Sequence, residues 1–241
     1  MKKVVIAVDS FKGCLSSSDI AKAVAEGIHH VIPGCEVIKV PIADGGDGTV
    51  EALTQATHGQ IITIPVHNPF MQPIQASYGI TGDGQTAVIE MSAASGLDLI
   101  PRKEGNVMHT TTYGTGELIA DAVDRSCRNF IIGVGGSATN DAGVGMMQAL
   151  GVRFTDDNGN EVEKGGKVLS AICHIDTRSQ LPELSACTFH IATDVTNPFF
   201  GPQGAAHIFG PQKGGNETQV EALDKGMKHL AGLILETTGR D

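Results

Sequence analysis

The chain begins with a strand–loop–helix unit and then repeats it, and this order constrains the fold more than any other feature. Residues 4–8 form an apolar, mostly β-branched run, typical of a strand buried on both faces. Apolar residues then recur at helical spacing over 20–28. Residues 36–41 start the same order again, followed by a glycine-rich loop at 43–49 and a second helix. Because parallel strands need such crossovers, the pattern predicts a parallel α/β sheet that binds its ligand on the loops after the strands.

The pattern changes near residue 70, where two strand-like runs flank a turn. Residues 74–80 and 86–91 lie on either side of Gly82-Asp83-Gly84, which predicts a β-hairpin. A hairpin is foreign to a series of strand–helix units, so we predict a second region from about residue 70. Within it the sequence predicts helices at 117–123, 141–150 and 217–235, strands at 130–134 and 189–193, and a hairpin at 152–162.

The composition excludes several functions. The chain has 17 Lys and Arg against 27 Asp and Glu in 241 residues, a net charge of −10, so we expect no binding to nucleic acid or to anionic membranes. No apolar run approaches the roughly 18 residues that a membrane-spanning helix needs. Five cysteines without a C-x-x-C pair argue against a disulfide framework or a zinc site. These features predict a soluble, cytoplasmic protein.

The strongest chemical signal is the glycine-rich segment at 131–141. It runs from an apolar strand through glycine and hydroxyl residues into a predicted helix, and free N–H groups at such a helix start favour an anion. The segment is not a Walker A loop, since no Gly-Lys-Ser/Thr follows, and Ala138 stands where a dinucleotide fingerprint has its third glycine. A tight turn with Thr139 or Asn140 as N-cap is the structural alternative.

Two carboxylates lie on the loop at 43–49, and a third follows a predicted strand. Asp44 and Asp47 suit Mg²⁺, which prefers one or two carboxylates together with phosphate oxygens. Alternatively, Asp47 caps the following helix. Asp194 at a strand end can act as a general base, or it can form an Asx turn before Asn197.

Polar residues on other loops are weaker signals. Lys12 and Lys213 each lie between turn residues, where a lysine can bind phosphate or carboxylate, or can remain solvated. Glu90 ends a hairpin strand, and functional and structural interpretations are equally open. The threonine-rich segment 110–117 can be a helix cap alone. Residues 156–160 lack the glycine and the terminal glutamate of a calcium loop, which indicates a turn.

Together these residues suit a small-molecule phosphotransferase, because phosphoryl transfer needs positioning, charge neutralisation and a metal rather than covalent chemistry. The same segments resemble the bacterial glycerate kinase family, type 1. The resemblance rests on seven segments in order, at 9–13, 43–49, 90–96, 114–118, 135–141, 194–198 and 210–214.

The resemblance implies ATP-dependent phosphorylation of D-glycerate, with Mg²⁺, to give 2-phosphoglycerate. It implies an α/β fold in which a Rossmann- or flavodoxin-like parallel-sheet domain carries an inserted α/β domain. Residues 1–70 would be the N-terminal part of the first domain, incomplete here. Residues 71–241 would be the inserted domain with the glycine-rich anion loops, and the matched segments would line the cleft between the two.

The resemblance also suggests roles. Asp194 would deprotonate the glycerate hydroxyl, the loop at 135–141 and Lys213 would hold phosphates, and Asp44 or Asp47 would help to hold Mg²⁺. Lys12 would meet a substrate or phosphate anion, and with Asp194 it forms the expected catalytic set. The expected substrate- and phosphate-binding residues are Ser10, Lys12, Glu90, Gly135, Gly136, Ser137, Thr139, Asn140, Asp141, Asn197 and Lys213.

Members of this family continue well past residue 241, so we expect this chain to lack the family's C-terminal part. Three alternatives stay open. They are a fragment that binds nucleotide or glycerate without turnover, a kinase for another small hydroxy acid, and a dinucleotide-dependent oxidoreductase. The imperfect glycine fingerprint argues against the last. The sequence also leaves open which hydroxyl is phosphorylated and whether the chain forms a homo-oligomer.

Overall fold

The computed structural model describes residues 3–9, 11, 14–42, 46, 48–101 and 106–239. The strands are β1 (Lys3–Val8), β2 (Glu36–Pro41), β3 (Gln60–His67), β4 (Pro73–Ile80), β5 (Thr86–Glu90), β6 (Asn129–Gly133), β7 (Arg153–Thr155), β8 (His174–Asp176) and β9 (Thr188–Ala192). The α-helices are α1 (Ser17–Val31), α2 (Thr49–Ala56), α3 (Ser92–Ser95), α4 (Tyr113–Asp124), α5 (Val144–Ala149), α6 (Ala205–Phe209) and α7 (Glu217–Thr238). The predicted α/β class is confirmed.

The N-terminal strands form the predicted parallel pair, β1 with β2, joined through α1. The Ser16 side chain accepts a hydrogen bond from the Asp19 N–H and so caps α1. Burial differs from the prediction, because Ile6 packs with Ala21 of α1 whereas Val5 is 57% exposed. Within the described residues, α1 covers only one face of this pair.

The larger sheet has the strand order β3-β4-β5-β6-β9. Strand β4 is antiparallel to both of its neighbours, β3 and β5, whereas β5, β6 and β9 run parallel to one another. The predicted hairpin is β4 with β5. Its turn is held by the Asp83 carboxylate, which accepts hydrogen bonds from the N–H groups of Gln85 and Thr86. These bonds keep the pKa of Asp83 well below its usual range.

Helix α4 is the crossover between β5 and β6 and packs its apolar face on the sheet. Leu118 and Ile119 of α4 are fully buried with Phe130 of β6. Helix α2 packs close to the same sheet, because a Cβ at Gly79 would lie 2.2 Å from Thr54 Oγ1. The sheet is therefore held between helices, which fixes the ends of its parallel strands.

Helix α7 builds a second apolar cluster. Leu223, Met227 and Leu230 are buried against Leu169 and Ile172. The Asn216 side chain accepts from the Gln219 N–H, and the Gln219 side chain accepts from the Asn216 N–H, so a capping box begins the helix. The predicted helix at 217–235 is confirmed and extends to Thr238.

The predicted hairpin at 152–162 is confirmed as a short one. Thr155 forms an antiparallel bridge with Glu161, and the Val162 N–H donates to the Phe154 carbonyl at 2.9 Å. Strand β7 pairs in addition with the distant β8. The Asp156 carboxylate accepts from the N–H groups of Asn158 and Asn160, which confirms the predicted turn. These local bonds reverse the chain and bring Glu161 opposite Thr155.

Strands β3 and β4 pair along their whole length across residue 70, and the division into residues 1–70 and 71–241 stays a prediction. In the part of the chain that the structure describes, no helix combines the length and apolarity that crossing a bilayer requires. All five cysteines are free.

Candidate active site

The register of the parallel strands brings three predicted segments to one edge of the sheet. Glu90, the last residue of β5, pairs with Gly133 of β6, and Gly133 pairs with Ala192 of β9. The glycine loop after β6 and the segment after β9 therefore start side by side, at the edge where parallel sheets bind ligands.

A cleft of about 890 Å³ opens at this edge, within the roughly 300–1,000 Å³ typical of small-molecule sites. The predicted residues that line it are Gly135, Gly136, Ser137, Thr139, Asn140, Asp141, Asp194 and Lys213. Glu90 and Asn197 do not line it. Ser10, Lys12, Asp44 and Asp47 lie outside the described residues.

Lys213 lies under the glycine loop and is only 8% exposed. Its Nζ donates to Ser137 Oγ at 2.9 Å and to the Thr139 carbonyl at 2.6 Å. Burial lowers the pKa of Lys213 to about 8, and the Asp141 carboxylate acts in the opposite direction. The alternative of a solvated surface lysine is therefore wrong, because this cation is built into the wall of the cleft.

The glycine loop also offers donors that the protein itself leaves free. The N–H groups of Gly135 and Gly136 donate to no acceptor among the described residues, and both glycines are exposed. Gly136 has a left-handed φ of 69°, which glycine adopts without strain. The Nδ2 atom of Asn140 is buried without a partner in the described structure. We call the set Gly135, Gly136, Asn140 and Lys213 the anion cradle.

Asp141 lines the cleft, but its carboxylate is bonded within the protein. It is 1% exposed, and its Oδ2 accepts from the N–H and the Oγ1 of Thr112 at 2.8 and 2.9 Å. Its carboxylate also accepts from the N–H groups of Gly143 and Gly145 at 3.2 Å. The start of α5, predicted to bind an external anion, is thus occupied by the protein's own carboxylate, and the free donors lie earlier in the loop.

Glu90 contacts the start of α2 and does not line the cleft. Its Oε1 accepts from the Val50 N–H at 2.8 Å in the first turn of α2, where Gly48 provides no side-chain cap. The Thr49 hydroxyl donates to the Gly46 carbonyl at 2.7 Å, and Gly46 lines the cleft. Glu90 therefore ties the end of β5 to the first turn of α2.

Asp194 is exposed and lines the cleft beside the anion cradle. Its carboxylate accepts no hydrogen bond from the residues that the structure describes, so it is free for a ligand. The alternative of an Asx turn is not supported, since the N–H of Thr196, two residues further on, makes no hydrogen bond to the Asp194 carboxylate in the described structure. The Val195 N–H donates to Thr193 Oγ1 at 3.3 Å. Asn197 donates to the Gln203 carbonyl at 3.0 Å and shapes the loop that follows.

Among the described residues, no group of three or more His, Cys, Asp or Glu could hold a metal ion. Sequence reasoning missed the role of Thr112, which joins α4 to Asp141 and accepts from the Met146 N–H at 2.9 Å. The threonine run at 110–112 was the available signal, but its partner lies about 30 residues further along the chain.

A mixed α/β sheet with a buried cation and free N–H groups at the carboxyl ends of its parallel strands is typical of the class of proteins that bind small anionic molecules. The profile of the Glycerate kinase family matches residues 4–241, and the chain belongs to that family.

Named relatives agree with this membership. The chain is 48% identical to a glycerate 2-kinase of Escherichia coli (strain K12) over 96% of its own length and 61% of the relative's. It is 47% identical to a glycerate kinase of Bacillus subtilis (strain 168), over 98% and 62%. A crystal structure from Salmonella typhimurium LT2, assigned as glycerate kinase 2, superposes with a TM-score of 0.92 at 44% identity, over 100% of this chain and 64% of that one. The chain thus spans about three-fifths of these relatives.

Proposed function

We propose that this chain transfers a phosphoryl group from ATP to a hydroxyl of D-glycerate. One observation carries the proposal. The anion cradle, with a buried cation and unpartnered donors, shares a cleft with the free carboxylate of Asp194 in a member of the Glycerate kinase family. The kinase activity itself is part of the proposal, because the chain spans only about three-fifths of the relatives that are named glycerate kinases.

In this proposal Asp194 is the general base. Its carboxylate takes the proton from the glycerate hydroxyl as the oxygen attacks phosphorus. The loop N–H groups of Gly135 and Gly136, the Asn140 amide and the Lys213 ammonium hold phosphate oxygens and offset the charge that spreads over them in the transition state. Since the pKa of Lys213 is about 8, its charge is present near neutral pH.

Mg²⁺ would neutralise part of the negative charge on the phosphates of ATP. Asp44 and Asp47 are the residues proposed to hold it. Two observations favour this position: Gly46 between them lines the cleft, and Glu90 anchors the helix that follows their loop. Lys12 and Ser10 are proposed to meet the substrate anion on the basis of family resemblance.

The product is proposed to be 2-phosphoglycerate, which the name of the Escherichia coli relative, glycerate 2-kinase, supports. The phosphorylated carbon can be identified by ³¹P NMR of the product against authentic 2- and 3-phosphoglycerate. A cytoplasmic location and homo-oligomerisation stay predictions from the sequence.

The test is D-glycerate-dependent release of ADP from Mg-ATP by the 241-residue chain. We expect Asp194→Asn to lower kcat about 10²- to 10⁴-fold, the usual contribution of a general base, with the KM for ATP little changed. Asp124→Asn is the matched control, since Asp124 ends α4 on an exposed surface outside the cleft. Normal turnover in Asp194→Asn would remove the base assignment.

A second candidate is binding without turnover, which the partial coverage of the relatives favours. In that case ATP at about 100 times its Kd would still stabilise the fold by about 2.7 kcal/mol, while no ADP is released. Thermal unfolding with and without ATP, beside the ADP assay, separates the two candidates.

A further inference from the structure

The cleft that holds the anion cradle continues into an apolar recess between β6, β9 and α5. We define this apolar recess by its walls, which are Ile119, Ile132, Met146, Met147, Leu150, Leu184, Phe189 and Ile191. None of these side chains can hold a phosphate or move a proton, so the recess has no part in the chemistry proposed above.

Phe189 differs from the other wall residues because its ring packs on a buried neighbour and is also exposed to the cleft. Its ring stacks on Phe130 with 4.8 Å between the ring centroids and 19° between the planes, and Phe130 is fully buried. Phe189 itself remains 40% exposed and lines the cleft. A ring held by a buried neighbour but open to the cleft is the arrangement on which a flat aromatic group stacks.

The two ends of the cleft differ in chemistry. The anion cradle offers a cation and free donors, while the apolar recess carries no charged side chain. Gln180 also lines the cleft, and its side-chain amide makes no hydrogen bond with the described residues, so it can pair with a polar ring edge. A ligand that matches both ends carries a polyanion joined to a flat, mostly apolar ring.

We propose that the apolar recess binds the base of the nucleoside triphosphate, with the base stacked on Phe189 and the phosphates in the anion cradle. This inference rests on the proposed function, because that function supplies the triphosphate. Continuity of the recess with the cradle favours a nucleotide base over the other occupant, a polypeptide segment corresponding to the part of the relatives that this chain does not span.

The experiment compares ATP with inorganic tripolyphosphate, which carries the phosphates without a base. Binding of both to the 241-residue chain is measured by titration calorimetry for the parent, Phe189→Leu and Phe200→Leu. Phe189→Leu retains an apolar side chain against Phe130 but loses the ring face. Phe200→Leu is the matched control, because Phe200 is 37% exposed and does not line the cleft.

We expect the parent to bind ATP at least tenfold more tightly than tripolyphosphate. Phe189→Leu should weaken ATP binding about tenfold, as expected for a lost stacking contact, and should leave tripolyphosphate binding unchanged. Phe200→Leu should change neither Kd.

Two results would overturn the inference while leaving the anion cradle intact. One is equal affinity of the parent for ATP and tripolyphosphate, which would show that the recess does not take the base and would leave it as a surface for a polypeptide segment. The other is an equal loss for both ligands in Phe189→Leu, which would indicate a change in the fold of the loop. If neither ligand binds the parent, the cradle fails and the proposed function fails with it.

Discussion

At the scale of the residue, Lys213 shows how a buried cation sets the pH range of an anion site. Burial lowers the pKa of Lys213 to about 8, whereas an ordinary lysine holds its proton to about pH 10. Only the protonated form attracts phosphate, so binding should be strong below pH 8 and fall as the pH rises through 8. We expect the Kd of inorganic tripolyphosphate to increase about tenfold from pH 7.5 to 9.5, measured by calorimetry.

Two variants test whether Lys213 is the group that titrates. Lys213→Met should bind weakly with no change over this range, whereas Lys225→Met, at an exposed position on α7 outside the cleft, should keep the alkaline loss. The free energy of unfolding should change with pH in the opposite direction to the affinity for tripolyphosphate. Between pH 8 and 10 the unfolded chain holds the extra proton, so the free energy of unfolding rises with pH there. If Lys213→Met still loses affinity for tripolyphosphate between pH 7.5 and 9.5, the group that titrates is not Lys213.

At the scale of the element, one buried carboxylate joins the two helices beside the site. Asp141 accepts from the N–H and the hydroxyl of Thr112 at the start of α4, and from the Gly145 N–H in α5. Asparagine keeps the shape but turns an amino group towards one set of these donors. We therefore expect Asp141→Asn to lower the free energy of unfolding in urea by about 2–3 kcal/mol. Asp124→Asn on the exposed end of α4 should stay within about 0.5 kcal/mol; equal effects would contradict the role of Asp141.

The elements could be read from the sequence, but contacts between distant segments could not. Hydrophobic periodicity and glycine-rich loops predicted β1, α1, the hairpin and α7. The rule that ligands bind at the carboxyl ends of parallel strands predicted that Asp194 lies near the glycine loop. Helix α5 begins only at Val144 because Ala142 and Gly143 have left-handed φ values of 53° and 76°, and nothing in the sequence requires alanine to adopt one. The burial of Lys213 depends on segments about 75 residues apart, which no local pattern encodes.

At the scale of the whole molecule, two features act in opposite directions on self-association. The open edge of the described sheet favours it, and the large net charge disfavours it. Strand β9 ends the described sheet, and apolar Ile191, Val195, Phe199 and Phe200 are exposed on it or just after it. Such an edge recruits other strands, while a charge of −10 on each chain keeps copies apart until salt screens it.

We expect sedimentation velocity to show self-association that strengthens with chain concentration and with salt. His190→Lys should weaken it, because a lysine in the middle of β9 resists desolvation. His29→Lys on exposed α1 makes the same charge change away from the edge and should have little effect; if the two variants behave alike, the edge is not the contact.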